Sequence, residues 1–360
     1  MTMHSIENAL ALSERANELE SRGDLNGAAE CFREAIAIFF ALEGPESPDA
    51  ANVLQLRGAT LEQKGEYAEA EACAERAIAT IEPLLDRIEG PEGTLILINS
   101  LSVLGTALRQ QGKYDKAELA LRRGLALAEK TGDVEALINA LNNVGVLFKF
   151  SGNFAEAELL YQRALRLALE TFGPRHNTVA LLYHNIGGLD HARGRFAEAE
   201  APARRAWELQ RELLGADHAQ TAADAVAYGA VLDGLGRHSD ALTLFRHALA
   251  VFKRVYGPEH FEVAVTLHNL AASEHALGND VVAEQQYRHA VLLKEKILGA
   301  EHPETALTLH NLAMLLGGRG ETTEAHELGR RSLVVFERTL SSNHPLIKAS
   351  RRVFGVRHSS

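Results

Sequence analysis

Apolar residues recur along this chain at the spacing of amphipathic helices, and nothing alternates with period two over a useful length. Residues 261–298 show the pattern. Val263, Leu267, Leu270 and Ala271 mark one helical face, and Ala283, Tyr287, Ala290 and Val291 mark a second. A glycine turn stands between them. The pattern predicts antiparallel helix pairs and no strands.

The same phrase returns eight times. Turn glycines stand at Gly23, Gly65, Gly112, Gly152, Gly194, Gly236, Gly278 and Gly320, spaced by 42, 47, 40, 42, 42, 42 and 42 residues. Seven residues before each comes Ala16, Gly58, Gly105, Gly145, Gly187, Gly229, Ala271 or Ala313. Five after each comes an alanine, from Ala28 to Ala325. Small side chains at these phases let two antiparallel helices approach where larger ones would push the axes apart. Gly-Lys-Tyr at 112–114, Gly-Asn-Phe at 152–154 and Gly-Arg-Phe at 194–196 put glycine at a tight helix end, followed by an aromatic that packs back. The longer connections carry Gly-Pro or Gly-Ala. Internal repeats of this length mean a solenoid or an array.

The repeats are expected at 6–43, 48–89, 94–131, 134–172, 177–214, 219–256, 261–298 and 303–340, with a C-terminal cap and tail at 345–360. Departures stand out in the first two. Arg15 and Arg57 precede the small position, where the later repeats have Leu104, Val144, Ile186, Tyr228, Leu270 and Leu312. Repeat one therefore reads as a cap. Repeat three begins with a longer connection, Pro83 to Gly93. The tail is basic, with Lys348, Arg351, Arg352 and Arg357.

Eight in-phase matches of this kind resemble the tetratricopeptide repeat. The usual unit is about 34 residues. The longer unit here, with its phrase YGPEHFEVAVTLHNLAASEHALGN at 256–279, is similar to the repeats of kinesin light chains and related bacterial proteins. The resemblance covers residues 6–340. It implies an all-α fold, a right-handed α-solenoid of about eight helix-turn-helix repeats. It also implies that first helices line an inner wall suited to an extended peptide or a partner helix.

On that geometry the lining residues follow by phase. Ten before the turn glycine come Gln55, Ser102, Asn142, His184, Val226, His268 and His310; nine before it come Leu56, Val103, Asn143, Asn185, Ala227, Asn269 and Asn311. Thirteen before it come Asn52, Asn99, Asn139, Leu181, Ala223, Val265 and Leu307. Three before it come Glu62, Arg109, Lys149, His191, Asp233, His275 and Gly317. An asparagine amide both donates and accepts, so a ladder of them can pair with a bound backbone without demanding a sequence. The resemblance assigns that contact to Asn143, Asn185, Asn269 and Asn311. The alternative is that these amides tie adjacent helices together.

Histidine is unusually frequent, at 16 residues. His176, His218, His260, His302 and His344 recur every 42 residues in the connections, where they are expected to cap the following helix. His184, His191, His268, His275 and His310 fall on the presumed inner wall. Pairs seven apart lie about 10 Å apart along a helix, too far to share a metal. They read as hydrogen-bonding groups for a partner, or as solvated polar positions. Arg109 and Lys149 make one end of the wall positive, for an acidic peptide segment or for pairing with neighbouring glutamates. Phe150 reads as an exposed apolar anchor, with burial at a repeat boundary as its rival. Trp207 falls at a core phase.

Composition narrows the function. Lys and Arg number 37 against 48 Asp and Glu, a net charge of −11, which disfavours a nucleic-acid binder. Two cysteines, Cys31 and Cys73, exclude a disulfide scaffold and a cysteine-rich metal site. No apolar run approaches the ~20 residues of a membrane span, and the N-terminus lacks a signal-peptide pattern. A cytoplasmic location is expected, with no cofactor. No phosphate loop, dinucleotide fingerprint or nucleophile elbow is present. The expected function is a non-enzymatic scaffold or adaptor binding a protein or peptide, with no nucleic acid and no membrane. A peptide-sensing receptor is the alternative, or an accessory subunit that presents substrate to a separately encoded enzyme.

Overall fold

The computed structural model describes residues 5–339 and 345–355. Among them the regular structure is helical, with no strand. First helices are α1 (Ile6–Ser21), α3 (Pro48–Gln63), α5 (Glu92–Gln110), α7 (Val134–Ser151), α9 (Asn177–Ala192), α11 (Ala219–Gly234), α13 (Phe261–Ala276) and α15 (Pro303–Gly318). Second helices are α2 (Leu25–Glu43), α4 (Tyr67–Ile81), α6 (Tyr114–Thr131), α8 (Phe154–Phe172), α10 (Phe196–Leu214), α12 (His238–Tyr256), α14 (Asp280–Leu298) and α16 (Thr322–Thr339). A last helix, α17, spans Pro345–Phe354. The chain is an all-α solenoid. It divides into two compact units, Met1–Asn185 and Ile186–Ser360.

The turn glycines stop the first helices by a shared device. At Gly152 the backbone turns left-handed, with φ +83°, which costs glycine no side-chain clash. The next amide, Asn153 N, then reaches back to Phe148 O at 2.8 Å. This six-to-one bond satisfies a carbonyl that the helix end would orphan. The same bond closes the other seven turns, for example Arg237 N to Leu232 O and Asn279 N to Glu274 O, each at 2.9 Å.

The connecting histidines work at the other helix end. His218, His260 and His302 are N-caps: each Nδ1 accepts the backbone N–H two residues on, at 3.1, 3.2 and 3.1 Å. His176 does the same for Thr178 at 3.2 Å. The rings of His176 and His260 also stack on Phe172 and Tyr256 at 4.3 and 4.2 Å, and burial pushes the imidazoles of His260 and His302 down from the usual range. His344 and Arg357 lie outside the described residues.

In several repeats the small residue seven before the turn receives a large one nine after it. A β-carbon on Gly145 would stand 2.6 Å from the Tyr161 ring, and one on Gly229 would stand 2.6 Å from that of Phe245. Both aromatics are fully buried. Each contributes about 1.5–3 kcal/mol through apolar burial, and the close backbone approach makes room for it. Trp207 is half-buried rather than core. Its ring lies 5.7 Å from Tyr228 and 4.9 Å under the Arg211 guanidinium, because it stands at the edge of the cluster around Phe245.

Gly329 breaks the pattern at the end of the second unit. It replaces the aromatic found at Phe245 and Tyr287, and Phe354 of α17 fills the space instead; a methyl on Gly329 would overlap that ring. Phe354 is buried, and the rings of His310 and His326 stand edge-on to it at 5.8 and 6.0 Å.

Candidate functional site

In the first unit, the exposed face of the first helices carries neutral amides. Asn52 on α3, Asn99 on α5 and Asn139 on α7 occupy one phase in three consecutive repeats, and all three are exposed. One to three turns further on, the same face presents Gln63, Gln110 and half-buried Asn143 and Thr106. None of these is charged, in a chain that carries −11 overall.

At one end of this face stands a cationic and aromatic cluster. Phe150 is 56% exposed. The Arg109 guanidinium lies 4.8 Å from its ring centroid and the Lys149 ammonium 5.2 Å, both within cation–π range. Arg109 Nε is buried with no hydrogen-bond partner. The carboxylate that offsets Arg109 is that of Glu62, which accepts from Thr106 Oγ1 at 2.8 Å and which burial pushes up from the usual carboxylate range. Burial, with the Arg109 charge beside it, lowers Lys149 to about 8. Arg109 and Lys149 thus stand as adjacent cations, with the Glu62 carboxylate beside Arg109.

The asparagines one turn away behave differently. Asn185 Nδ2 donates to Asn142 Oδ1 at 2.7 Å, and Asn142 Nδ2 to Asn143 Oδ1 at 3.5 Å. Asn142 and Asn185 are buried. They join α7 to α9, so the tying alternative describes them. The pairing recurs in the second unit at the same offset of 43 residues. His268 Nε2 accepts from Asn311 Nδ2 at 3.3 Å, while His268 Nδ1 meets Thr308 Oγ1 at 3.0 Å. Thr308 spends its only hydroxyl proton on Glu304 O at 3.1 Å, so the histidine Nδ1–H donates to it. The ring is thereby fixed neutral and in one tautomer. It stands edge-on to Tyr287 at 5.5 Å, and burial, with the nearby Lys294 charge, lowers it to about 3.

The other inner-wall histidines part company. His310 is not on an open wall. It is buried under α17, with Nδ1 at 2.9 Å from Ser350 Oγ and its ring against Phe336 and Phe354. The sequence phase could not show this because the covering helix belongs to the tail. His275 is exposed and pairs with Asp280 Oδ1 at 2.7 Å. His191 lies edge-on to Phe196 at 5.3 Å. His184 is half-buried, and Asn269 is half-exposed without a side-chain hydrogen bond. The geometry thus gathers Arg109, Lys149 and Phe150 into one cluster, Asn142, Asn143 and Asn185 into one tie, and His268 with Asn311 into another. The exposed amides Asn52, Asn99 and Asn139 carried a legible signal, one residue type at one phase in three successive repeats. Among the described residues no three His, Cys, Asp or Glu side chains stand together as metal ligands. No helix of theirs is long and apolar enough to cross a membrane.

This architecture has a family. One tetratricopeptide repeat model matches residues 7–82, 136–212, 178–254, 225–291 and 262–338, and a second matches 97–131. The chain belongs to the tetratricopeptide repeat family, whose members characteristically bind proteins or peptides. Among solved structures it is similar to BtubC (BKLC) from P. vanneervenii, at 22% identity and TM-score 0.54 over 64% of this chain and 91% of that one. It is also similar to the apo form of the quorum sensor NprR from B. thuringiensis, at 13% identity and TM-score 0.66 over 91% and 87%. A Rap protein complexed with Competence and Sporulation Factor aligns at 14% identity and TM-score 0.61 over 97% of both chains. These likenesses show the fold. No curated protein matches the chain.

Proposed function

We propose that this chain is a non-enzymatic scaffold or adaptor that holds an extended stretch of a partner polypeptide on the exposed first-helix face. The observation that carries the reading is the run Asn52, Asn99 and Asn139 leading to the Arg109–Phe150–Lys149 cluster. The amides suit backbone groups of any sequence. Phe150 offers an apolar anchor, and the two cations take an acidic side chain beside it. The occupant is a protein or peptide, with neither nucleic acid nor membrane involved. In the first unit Asn142 and Asn185 tie α7 to α9 behind this face, with Asn143 half-buried upon it; in the second unit His268 with Asn311, and His310 with Ser350, join neighbouring first-helix positions.

The test is selection from a random peptide library, followed by affinity measurement on variants. Phe150→Ala is expected to cost about 2 kcal/mol of binding, roughly thirtyfold, because exposed aromatic anchors concentrate binding energy. Asn99→Ala with Asn139→Ala is expected to weaken all selected peptides alike. The reading fails if the selected peptides bind these variants and the parent equally.

A peptide-sensing regulator is the second reading. It draws support from the solved Rap protein with Competence and Sporulation Factor and from NprR in complex with its cognate peptide NprX. Solution scattering separates the two. A regulator changes dimensions when its peptide binds, whereas a scaffold keeps them.

A further inference from the structure

A second site of different chemistry lies in the cleft between the second helices α2 and α4, floored by α3. It begins with the departure at Arg57. Later repeats fill that phase with Leu104, Val144, Ile186, Tyr228, Leu270 or Leu312. Here a guanidinium enters instead, and its side chain is 19% exposed. It donates to Ala29 O at 3.4 Å, to Cys73 Sγ at 3.0 Å and to Glu69 Oε2 at 3.2 Å. Small side chains at Ala37, Ala72 and Cys73 leave the cleft unfilled above it. The result is a cavity of about 460 Å³, open on one side.

Its lining has two characters. Arg33, Arg57 and Arg76 supply three guanidiniums against the single carboxylate of Glu69. Arg33 is paired with Glu30 along its own helix, and Glu69 is largely exposed at the rim. The Arg76 guanidinium lies 4.2 Å over the Phe40 ring and has no carboxylate partner. The remaining wall is apolar, chiefly Phe40, Ile36 and Leu54. Guanidinium groups present paired donors that match a carboxylate or a phosphate, and an aromatic beside them favours a flat apolar body on the same ligand. A cavity of this size takes one such body and not a folded domain.

We propose that this cleft binds a small organic anion, a phosphate monoester or carboxylate carried on a flat apolar body, with Arg57 and Arg76 gripping the charge and Phe40 and Leu54 packing the body. The site stands independently of the first-helix face, since it shares none of its residues.

Phenyl phosphate, benzoate and uncharged benzyl alcohol are the probes, titrated against the full chain at constant ionic strength and read by ligand-observed NMR. Phenyl phosphate or benzoate binds and benzyl alcohol does not; which anion binds more tightly identifies the natural headgroup. Arg76→Gln and Arg57→Leu each weaken binding about tenfold or more, the loss of a charge-assisted pair of hydrogen bonds. Arg57→Leu restores the residue type of the later repeats, so it keeps the helical circular-dichroism spectrum. Glu69→Gln strengthens binding by removing the competing carboxylate. Arg22→Gln changes the net charge equally but lies outside the cleft, and leaves binding unchanged. The proposal is overturned if all three probes bind alike, if none binds at 10 mM (roughly the weakest affinity of a specific small ligand), or if Arg22→Gln costs as much as Arg76→Gln.

Discussion

Replacing His268 by glutamine tests how the second unit is held together. The imidazole joins α13 to α15 through Thr308 and Asn311, and the bonding pattern requires the neutral ring. Burial holds its pKa at about 3, with Lys294 the nearest cation and Tyr287 the facing aromatic. An unfolded histidine titrates near 6.5. Between these values the unfolded chain binds a proton that the folded chain refuses. Stability from this group is therefore complete above about pH 6.5 and is lost as pH falls toward 3. At pH 5 the loss is about 2 kcal/mol, and somewhat less for the edge of the ring that water still reaches. Glutamine keeps a donor and an acceptor and has no proton to gain. Solenoids open locally, so the assay is hydrogen exchange of the α13 and α15 amides rather than a global melt. From pH 7.5 to 5, opening free energies in the parent chain should fall by about 2 kcal/mol more than in His268→Gln. Parallel falls in the two proteins would refute the neutral-ring argument.

Asn185→Ala leaves the buried Asn142 carbonyl without its donor, and should cost about 1–3 kcal/mol in α7–α9 opening; adding Asn142→Ala should cost less than the sum, a coupling seen by double-mutant hydrogen exchange. Phe354→Ala should release α17, since truncating a buried phenylalanine costs about 3–5 kcal/mol; limited proteolysis within 345–354 should accelerate while cleavage in the first unit is unchanged. Lys149, lowered to about 8, should lose its charge as pH rises through that value, so affinity for an acidic peptide should fall between pH 7 and 9. Lys149→Arg should flatten that profile in a fluorescence-anisotropy titration.

The helices, their turns and the imidazole caps were legible in the sequence because each is decided within a few residues. Glycine placement fixes the left-handed stop, and a histidine two before an N–H can cap it without help from elsewhere. The polar first-helix residues were not legible in the same way. Asn139 and Asn142 are three residues apart on one helix, yet the first is exposed and the second is buried against Asn185. What separates them is the position of the next helix, which periodicity alone does not give. His310 shared a phase with His268 but met the tail helix instead of a further full repeat. Arg57 stood out in the sequence only as a departure from the later repeats; with Ala72 and Cys73 beside it, it forms the charged wall of a cavity.

The choice of imidazole over a hydroxyl or carboxylate cap has a collective consequence. His176, His218, His260 and His302 each receive a backbone N–H through a ring lone pair. A proton on that nitrogen turns an acceptor into a cation facing the positive pole of its helix. His260 and His302, whose imidazoles burial already holds below the usual range, put such an acid-sensitive acceptor at two successive helix starts, so acidification would loosen those two caps together.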